Sequence, residues 1–444
     1  MLPLNRVPVK PTDTPDAAPA DLFAGMMPDV AAALGRAASI AASRRCGLWL
    51  IGGAVRDLLR GAVLDRDIDL AVEGDAVDLA VALAESLGGR VLASHRAFGT
   101  ATLVLPRAEA HAGELTFDLA GTRVETYPQP AALPVVSPAS IAADLCRRDF
   151  SINAVAVELL ANGDILRAGA MLDPFGGRAD LKAGRLRLLH SSSLRDDPTR
   201  LLRGLRLASR LDLHPDAATV AQISEALAQG YLGMLTPERV LGEICLALDE
   251  PRPDAVLARC DAWGVMPQIV PGLARSAALA ARFARRREDS LSAIGYRLSA
   301  IDAGLLCYDL GAEELARIAG RYPLPAPFAR LLQEIPLVRA IAPTLSADLR
   351  PSQIDHLLRS FSEAIIRVLH YADTGLAGQV AAHYLRTIRP VRAPLDGRDM
   401  QRLGVAPGPM MGRLLGDLRA AHLDGEVMTC EQAEVWVRGK IRAE

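Results

Sequence analysis

The sequence predicts an α+β protein: a small mixed-sheet head followed by an all-α remainder. Three observations predict it. Between residues 47 and 119 short apolar runs, each closed by Gly or Pro, alternate with amphipathic helical stretches. From about Pro198 onward only helical spacing remains. Aromatic residues are few, with 8 Phe, 7 Tyr and 3 Trp in 444 residues, which is thin for an all-β chain. Half the residues are hydrophobic, so a sizeable core is available and wholesale disorder is excluded. At roughly 100–200 residues per domain, the length suggests two to four units.

Taken in order, residues 1–21 carry Pro and Asp without a signal-type apolar stretch and read as a disordered leader. Leu22 to Ser43 has helical spacing. Leu48–Ile51 is a buried strand ended by Gly52-Gly53, and Ala54–Arg60 is a helix stopped by Gly61. Asp67–Val72 is the next strand. Asp75 caps a helix over Ala76–Leu87 that Gly88-Gly89 closes. Arg90–Ser94, Thr100–Leu105 and Glu114–Leu119 are further strands. The Pro-punctuated stretch 127–138 reads as a loop, and 251–253 and 390–394 as hinges. Arg285-Arg286-Arg287-Glu288-Asp289 reads as a solvated helix face, RNA contact being the other reading.

No apolar run approaches the ~18 residues of a membrane span, so no membrane partner is expected. Six scattered cysteines without a CxxC pair fit a reducing, cytoplasmic setting and not a structural zinc site. The net charge of -2 averages unlike parts. Residues 65–85 hold seven acids and one base, whereas 178–210 hold nine bases and three acids. Such a chain suits an acidic metal centre facing a basic groove.

Four constellations carry chemistry. In Asp65-Arg66-Asp67-Ile68-Asp69, Asp67 and Asp69 lie two apart on a strand and so share a face. Adjacent carboxylates repel, and a hard cation such as Mg²⁺ resolves that conflict. Metals so held support phosphoryl transfer. About ten residues upstream, Gly52-Gly53 opens a helix whose free N–H groups and dipole suit phosphate. A lone DxD is an ordinary acidic turn; paired with that glycine turn it becomes a metal site facing a phosphate site. Asp118 alternates away from Leu115 and Phe117, which makes it either a third carboxylate or a strand-end surface Asp. Arg147-Arg148-Asp149 precedes Phe150-Ser151-Ile152-Asn153 and supplies fork-shaped phosphate donors. Finally, Asp197-Pro198 starts a helix with Arg200, Arg203, Arg206 and Arg210 in one ~120° arc, opposite Leu201, Leu202 and Leu205. Pointed into a cleft, that face would hold polyphosphate or RNA, and Asp197 with Arg200 offers an acceptor and donors to a base edge.

Together these residues closely resemble the class II tRNA nucleotidyltransferase/poly(A) polymerase family. The motifs, in order, are GGAVRD (52–57), DRDID (65–69), FGT (98–100), RRDFSIN (147–153), DPFGG (173–177), DDPTRLLRGLR (196–206) and TPERV (236–240). LDGRDMQRLGVAPGP (395–409) and LDGEV (423–427) extend the likeness. The resemblance implies a nucleotidyltransferase head over 22–190, a neck of nucleotide-recognition and RNA-binding helices over 191–255, a helical body over 256–390 and a tRNA-binding tail over 391–444. It implies template-free addition of CCA to the tRNA 3′ end from CTP and ATP, with pyrophosphate released. By position, Asp67 and Asp69 would hold Mg²⁺, with Asp118 beside them in the catalytic set. Gly52, Gly53, Arg56 and Arg148 would bind the triphosphate. Asp197 and Arg200 would read the base, Arg203 and Arg206 lying near. Asp149, Asn153, Glu238 and Arg239 would support the site.

Two departures stand out. The base-reading motif begins Asp196-Asp197 where the family usually has Glu-Asp. The loop 122–136 (TRVETYPQPAALPVV) lacks the Arg-Arg-Pro of many full CCA-adding members, as in a branch that includes CC-only and A-only enzymes. Partial addition, poly(A) polymerase activity and, in another class, a catalytically silent RNA-binding protein are the competing readings. The intact Asp67/Asp69 pair speaks against the last.

Overall fold

A computed structural model describes residues 16–19, 21–107, 113–269, 277–288 and 298–443. Most of the expected leader, residues 1–15 and 20, lies outside the described residues, as does Asp289. The chain divides into two compact units, Met1–Thr236 and Pro237–Glu444.

In the first unit the elements are β1 (Asp16–Ala17), α1 (Pro28–Ser43), β2 (Gly47–Ile51), α2 (Gly52–Leu59), β3 (Asp67–Glu73), α3 (Ala76–Leu87), β4 (Arg90–His95), β5 (Thr100–Leu105) and β6 (Leu115–Gly121). Then come β7 (Arg123–Thr126), β8 (Val135–Pro138), α4 (Ile141–Cys146), β9 (Ala156–Asn162), β10 (Ile165–Leu172), α5 (Gly177–Lys182) and β11 (Arg185–Leu186). The unit ends with α6 (Ser193–Asp196), α7 (Thr199–Leu211), β12 (His214–Pro215) and α8 (Ala217–Ala228). An eight-stranded sheet runs β1-β10-β9-β2-β3-β6-β5-β4. Its β3–β6 pair is parallel and its other pairs are antiparallel, so the sheet is mixed as predicted.

Alternation decides which face carries chemistry. Along β3 the side chains of Ile68 and Leu70 are buried while those of Asp67 and Asp69 are exposed. The buried set joins Leu50, Leu103 and Phe117 in a core closed by Val30 and Leu34 of α1 and Leu79 and Leu83 of α3. Each such side chain contributes roughly 1.5–3 kcal/mol. On the opposite face Trp49, Ile51, Ala71 and Ala156 pack only against Ile141 and Leu145 of α4 and their neighbours. The carboxylates therefore share a face with the short helix that leads into Arg147-Arg148. The predicted α3 caps are present: the Asp75 carboxylate accepts from the N–H groups of Val77 and Asp78 at 2.9 Å. Gly88 ends the helix in the left-handed region at φ +67°.

The stretch 127–138 is not wholly a loop. Val135–Pro138 pairs with Arg123–Thr126 as a hairpin, with Pro138 at the strand end where a missing N–H costs little. Strands β9 and β10 go beyond the sequence expectation, since AVELLAN is rich in helix formers. Pairing with β2 on one side and β10 on the other overrides that preference.

The second unit is helical: α9 (Pro237–Leu248), α10 (Pro253–Ala262), α11 (Met266–Ile269), α12 (Ala277–Glu288), α13 (Leu298–Cys307), α14 (Ala312–Arg321) and α15 (Ala326–Ile341). These continue into α16 (Pro351–Leu358), α17 (Glu363–Ala372), α18 (Leu376–His383), α19 (Gly397–Arg402), α20 (Pro409–Leu423) and α21 (Cys430–Ala443). Here the solvated-face reading of the arginine run holds for Arg287 and Glu288, which are exposed, and is corrected for Arg285 and Arg286. Arg286 is 7 % exposed and lies 3.0 Å from Asp302, Arg285 donates to the Tyr371 carbonyl, and Arg287 pairs with Asp254. The groups that hold these arginines come from distant helices, which a local charge count does not see.

Asp302 gives a pH prediction. Burial, opposed by Arg286 and reinforced by Asp249, pushes its carboxyl up to about 7. Between the ordinary 3.8 and about 7 the folded chain holds a proton that the unfolded chain has lost. Stability from this group therefore falls as pH rises through that window, by up to about 1.4 kcal/mol per pH unit. Thermal melts from pH 5 to 8 should show a downward slope that D302N reduces; equal slopes in the two proteins would refute the assignment.

Candidate active site

The turn after β2 is built by a glycine that the backbone requires. Gly52 has φ +66°, a region that L side chains rarely adopt. A Cβ there would stand 3.4 Å from Arg148 Nη1 and 3.7 Å from Asp69 Oδ2. The turn is thus flanked by a cation and by one of the paired carboxylates. At Gly53 the nearest neighbour of a Cβ would be Arg56 Nη2 at 3.4 Å.

Parallel pairing places Asp118 of β6 at the register position of Asp69 on β3. Thr102 Oγ1 donates to Asp118 Oδ1 at 2.7 Å and orients it. A hollow of about 180 Å³ opens here, lined by Asp69, Asp118, Thr102, Thr100, His95 and Ile51 among others. The Asp69 carboxyl is raised above its ordinary range, first by loss of water around it and then by the Asp118 charge. Arg148 and Arg56 oppose this and Asp67 adds to it. This set of oxygen donors fits a hard divalent cation. Among the described residues no group of three or more His, Cys, Asp or Glu gathers to hold a metal. Two carboxylates that leave the remaining positions to water and substrate phosphate suit Mg²⁺ rather than an all-protein cage.

Around this centre the arginines are held by acids. Arg56, 4 % exposed, donates from Nε and Nη2 to both Asp57 oxygens at 2.9 and 2.7 Å, and from Nη1 to Asn153 Oδ1 at 2.7 Å. Asn153 Nδ2 donates to Asp149 Oδ1 at 3.1 Å, and Arg203 Nη1 donates to Asp149 Oδ2 at 3.0 Å. A continuous chain therefore joins the glycine turn to α7. Burial pushes the Asp149 carboxyl upward, but Arg203, Asn153 and Arg200 outweigh it and hold it below the usual range. Arg148 Nη2 donates to Asp144 at 2.8 Å while its buried Nε has no partner.

The α7 arginines do not form one uniform face. Arg200 is 4 % exposed, with Nη2 donating to the Arg147 carbonyl at 2.6 Å and Nη1 3.4 Å from His190 Nε2. Arg203 and Arg206 are half-buried and Arg210 is exposed. Leu201, Leu202 and Leu205 are buried as expected. The helix begins at Thr199, one residue later than a cap at Asp197 implies. The Asp197 carboxylate still accepts from the Thr199 N–H at 3.1 Å and from its hydroxyl at 2.6 Å. Glu238 and Arg239 stand in the first turn of α9, in the second unit, the former exposed and the latter half-buried.

Residues beyond the sequence expectation are Asp144, Glu125, Thr102 and His95. Asp144 carried a signal, lying three and four positions before Arg147 and Arg148, the spacing of helical ion pairs. Thr102 acts across strands, Glu125 meets Arg147 from twenty-two positions away and His95 lines the hollow from β4, contacts on which local spacing is silent.

Paired carboxylates on a sheet face, beside a glycine turn and acid-held arginines, have the chemistry that would suit nucleoside phosphates. Residues 48–187 match the family model for the poly A polymerase head domain. The chain is 31% identical to an A-adding tRNA nucleotidyltransferase of Halalkalibacterium halodurans over 90% of each chain. It is 34% identical to a CC-adding tRNA nucleotidyltransferase of Deinococcus radiodurans, covering 90% of this chain and 92% of the relative. A solved CCA-adding enzyme in an apo form superposes with a TM-score of 0.75 at 28% identity, over 95% of this chain and 98% of its own. The Thermotoga maritima CCA-adding enzyme complexed with tRNA matches with a TM-score of 0.70 at 26% identity, over 95% and 97%. The chain belongs to the tRNA nucleotidyltransferase family and is a nucleotidyltransferase. No helix among the described residues is long and apolar enough to cross a membrane.

Proposed function

We propose that this enzyme adds CCA, or part of it, to the 3′ end of tRNA without a template, using CTP and ATP and releasing pyrophosphate. The observation that carries this reading is the unbroken chain from the glycine turn through Arg56, Asn153 and Asp149 to Arg203. It ties phosphate binding to the helix that bears Arg200 and follows Asp197, so one frame presents both ends of a nucleotide. Asp67 and Asp69 are the residues that would hold Mg²⁺, which when bound offsets phosphate charge and lowers the pKa of a coordinated hydroxyl. Asp118, oriented by Thr102, keeps a further carboxylate beside Asp69. Arg148 and the N–H groups after Gly52 hold the triphosphate in line for attack by the RNA 3′-OH on the α-phosphorus. The P–O bond to the departing pyrophosphate breaks as the new one forms. Asp197 and Arg200 select the base by hydrogen bonds that a wrong base leaves unmade. On the family's plan, 22–190 is the head, 191–255 the neck, 256–390 the body and 391–444 a tRNA-binding tail, with Glu238 and Arg239 supporting the nucleotide helix.

A second reading, addition of only CC or only A, is favoured by the names of the two relatives and by a 122–136 loop without Arg-Arg-Pro. One experiment tests both. Purified protein and Mg²⁺ are incubated with tRNA ending at the discriminator base, at -C or at -CC, with CTP, ATP or both, and the products are sized. Extension by three residues supports CCA addition. A stop after CC, or extension only of the -CC substrate, supports partial addition. No extension of any substrate overturns both.

A further inference from the structure

The loop that lacks Arg-Arg-Pro is also the segment wired to the proposed base reader. Arg200 is buried and held by the backbone carbonyl of Arg147. Arg147 is in turn gripped at both ends: Nε donates to Asp144 Oδ1 at 2.9 Å and Nη1 to Glu125 Oε1 at 2.9 Å. Glu125 on β7 is itself buried, and its second oxygen accepts from the Tyr127 hydroxyl at 2.8 Å. Arg123 adds a third donor to Glu125 at 3.2 Å. A hydrogen-bonded path thus runs Tyr127–Glu125–Arg147–Arg200. The charges of both Arg200 and Asp197 act on the Tyr127 hydroxyl, which is held well above its ordinary range chiefly by burial and by Glu125.

The loop is also fixed from its far side. Ala131 N–H donates to the Arg195 carbonyl at 3.1 Å, at the end of α6 and two residues before Asp197. Ala131 is buried with φ +61°, a left-handed conformation that a non-glycine residue holds only where its surroundings enforce it. A strained, doubly anchored loop is an apt frame for a side chain that must hold one position.

We propose that Glu125 and Tyr127 are positioning residues for nucleobase choice, acting on Arg200 through Arg147. This rests on the reading of Arg200 as a base-selecting residue. Neither side chain takes part in the bond-making step, so their loss blurs selection more than it slows chemistry on the correct nucleotide. Removing the Glu125 charge leaves the Arg147 side chain held by Asp144 alone and lets its carbonyl, and with it the Arg200 fork, shift. A shift too small to disturb the fold is enough, because selection depends on hydrogen bonds made or left unmade.

The test compares E125Q, E125D, Y127F and R200A for kcat/KM with CTP, ATP, UTP and GTP on the tRNA end that wild type extends. E125Q should lower discrimination of the correct nucleotide over UTP and GTP by about tenfold, with Y127F weaker in the same direction and E125D largely restored. In the R200A background E125Q should add little, as for residues on one path. Y127F removes a single hydroxyl and keeps the test valid if E125Q fails to fold. Unchanged discrimination in Y127F and E125Q beside a loss in R200A overturns the proposal alone. Unchanged discrimination in R200A overturns the base-reading assignment on which it rests.

Discussion

Replacing Asp67 and Asp69 together by Ala should abolish nucleotide addition, with a rate loss on the order of 10³-fold or more, and leave tRNA binding close to wild type. Both side chains stand on the face of β3 turned away from the main apolar core, so their removal opens no cavity in it. The Asp69 carboxyl is raised by lost hydration and by Asp118, which marks a place where negative charge is already costly. Deleting that charge relieves repulsion, so the melting temperature of the metal-free double variant should hold or rise by a few degrees. A site whose removal stabilises the fold while ending activity is one held for function. Single-turnover addition, tRNA binding by filter retention and thermal melting provide the three readouts. Persistent addition in the double variant would sink the metal assignment, and a large loss of tRNA binding would give the pair a different role.

The first half of the head was legible because its signals are local. Period-two alternation exposed Asp67 and Asp69 together, Gly52 marked a turn that needs positive φ, and Asp75 with Gly88 bounded α3 as their chemistry requires. Strands β9 and β10 were not legible, because Ala, Leu and Glu favour helix until a central sheet position claims them. The same distinction divides the site. Asp67, Asp69, Gly52 and the two adjacent arginines form short patterns, whereas what each arginine touches is set by residues far along the chain. Helical periodicity put Arg200, Arg203, Arg206 and Arg210 in one arc; packing then buried Arg200 against the Arg147 carbonyl and left Arg210 in solvent. Arg285 and Arg286 escape a local reading for the same reason, since the Tyr371 carbonyl and Asp302 lie at distances no local window spans.

Asp144→Ala should strongly destabilise the head. Asp144 is 1 % exposed, and its two oxygens receive the Arg123 N–H at 3.1 Å, Arg147 Nε at 2.9 Å and Arg148 Nη2 at 2.8 Å. Burial pushes its carboxyl up, but Arg148 and Arg147 prevail and hold it below the ordinary range. A depressed carboxyl stabilises the fold at all pH values above its ordinary 3.8, and this contribution is lost as pH falls through the folded value. At pH 7 it is fully present. Its removal leaves two largely buried arginines without their shared acid, at a cost on the order of 3 kcal/mol. The functional effect should have two components. Arg148 loses its anchor beside Gly52, so KM rises for CTP and ATP alike, which a change confined to the base end would not produce. Arg147 keeps only Glu125, so base discrimination drifts in the direction expected for E125Q. Urea denaturation at pH 7 and at steps below pH 3.8 should show the wild-type advantage over D144A intact at pH 7 and shrinking only as pH falls below 3.8. An advantage that instead persists undiminished throughout the range below pH 3.8 would mean that Asp144 acts through packing, not through its charge.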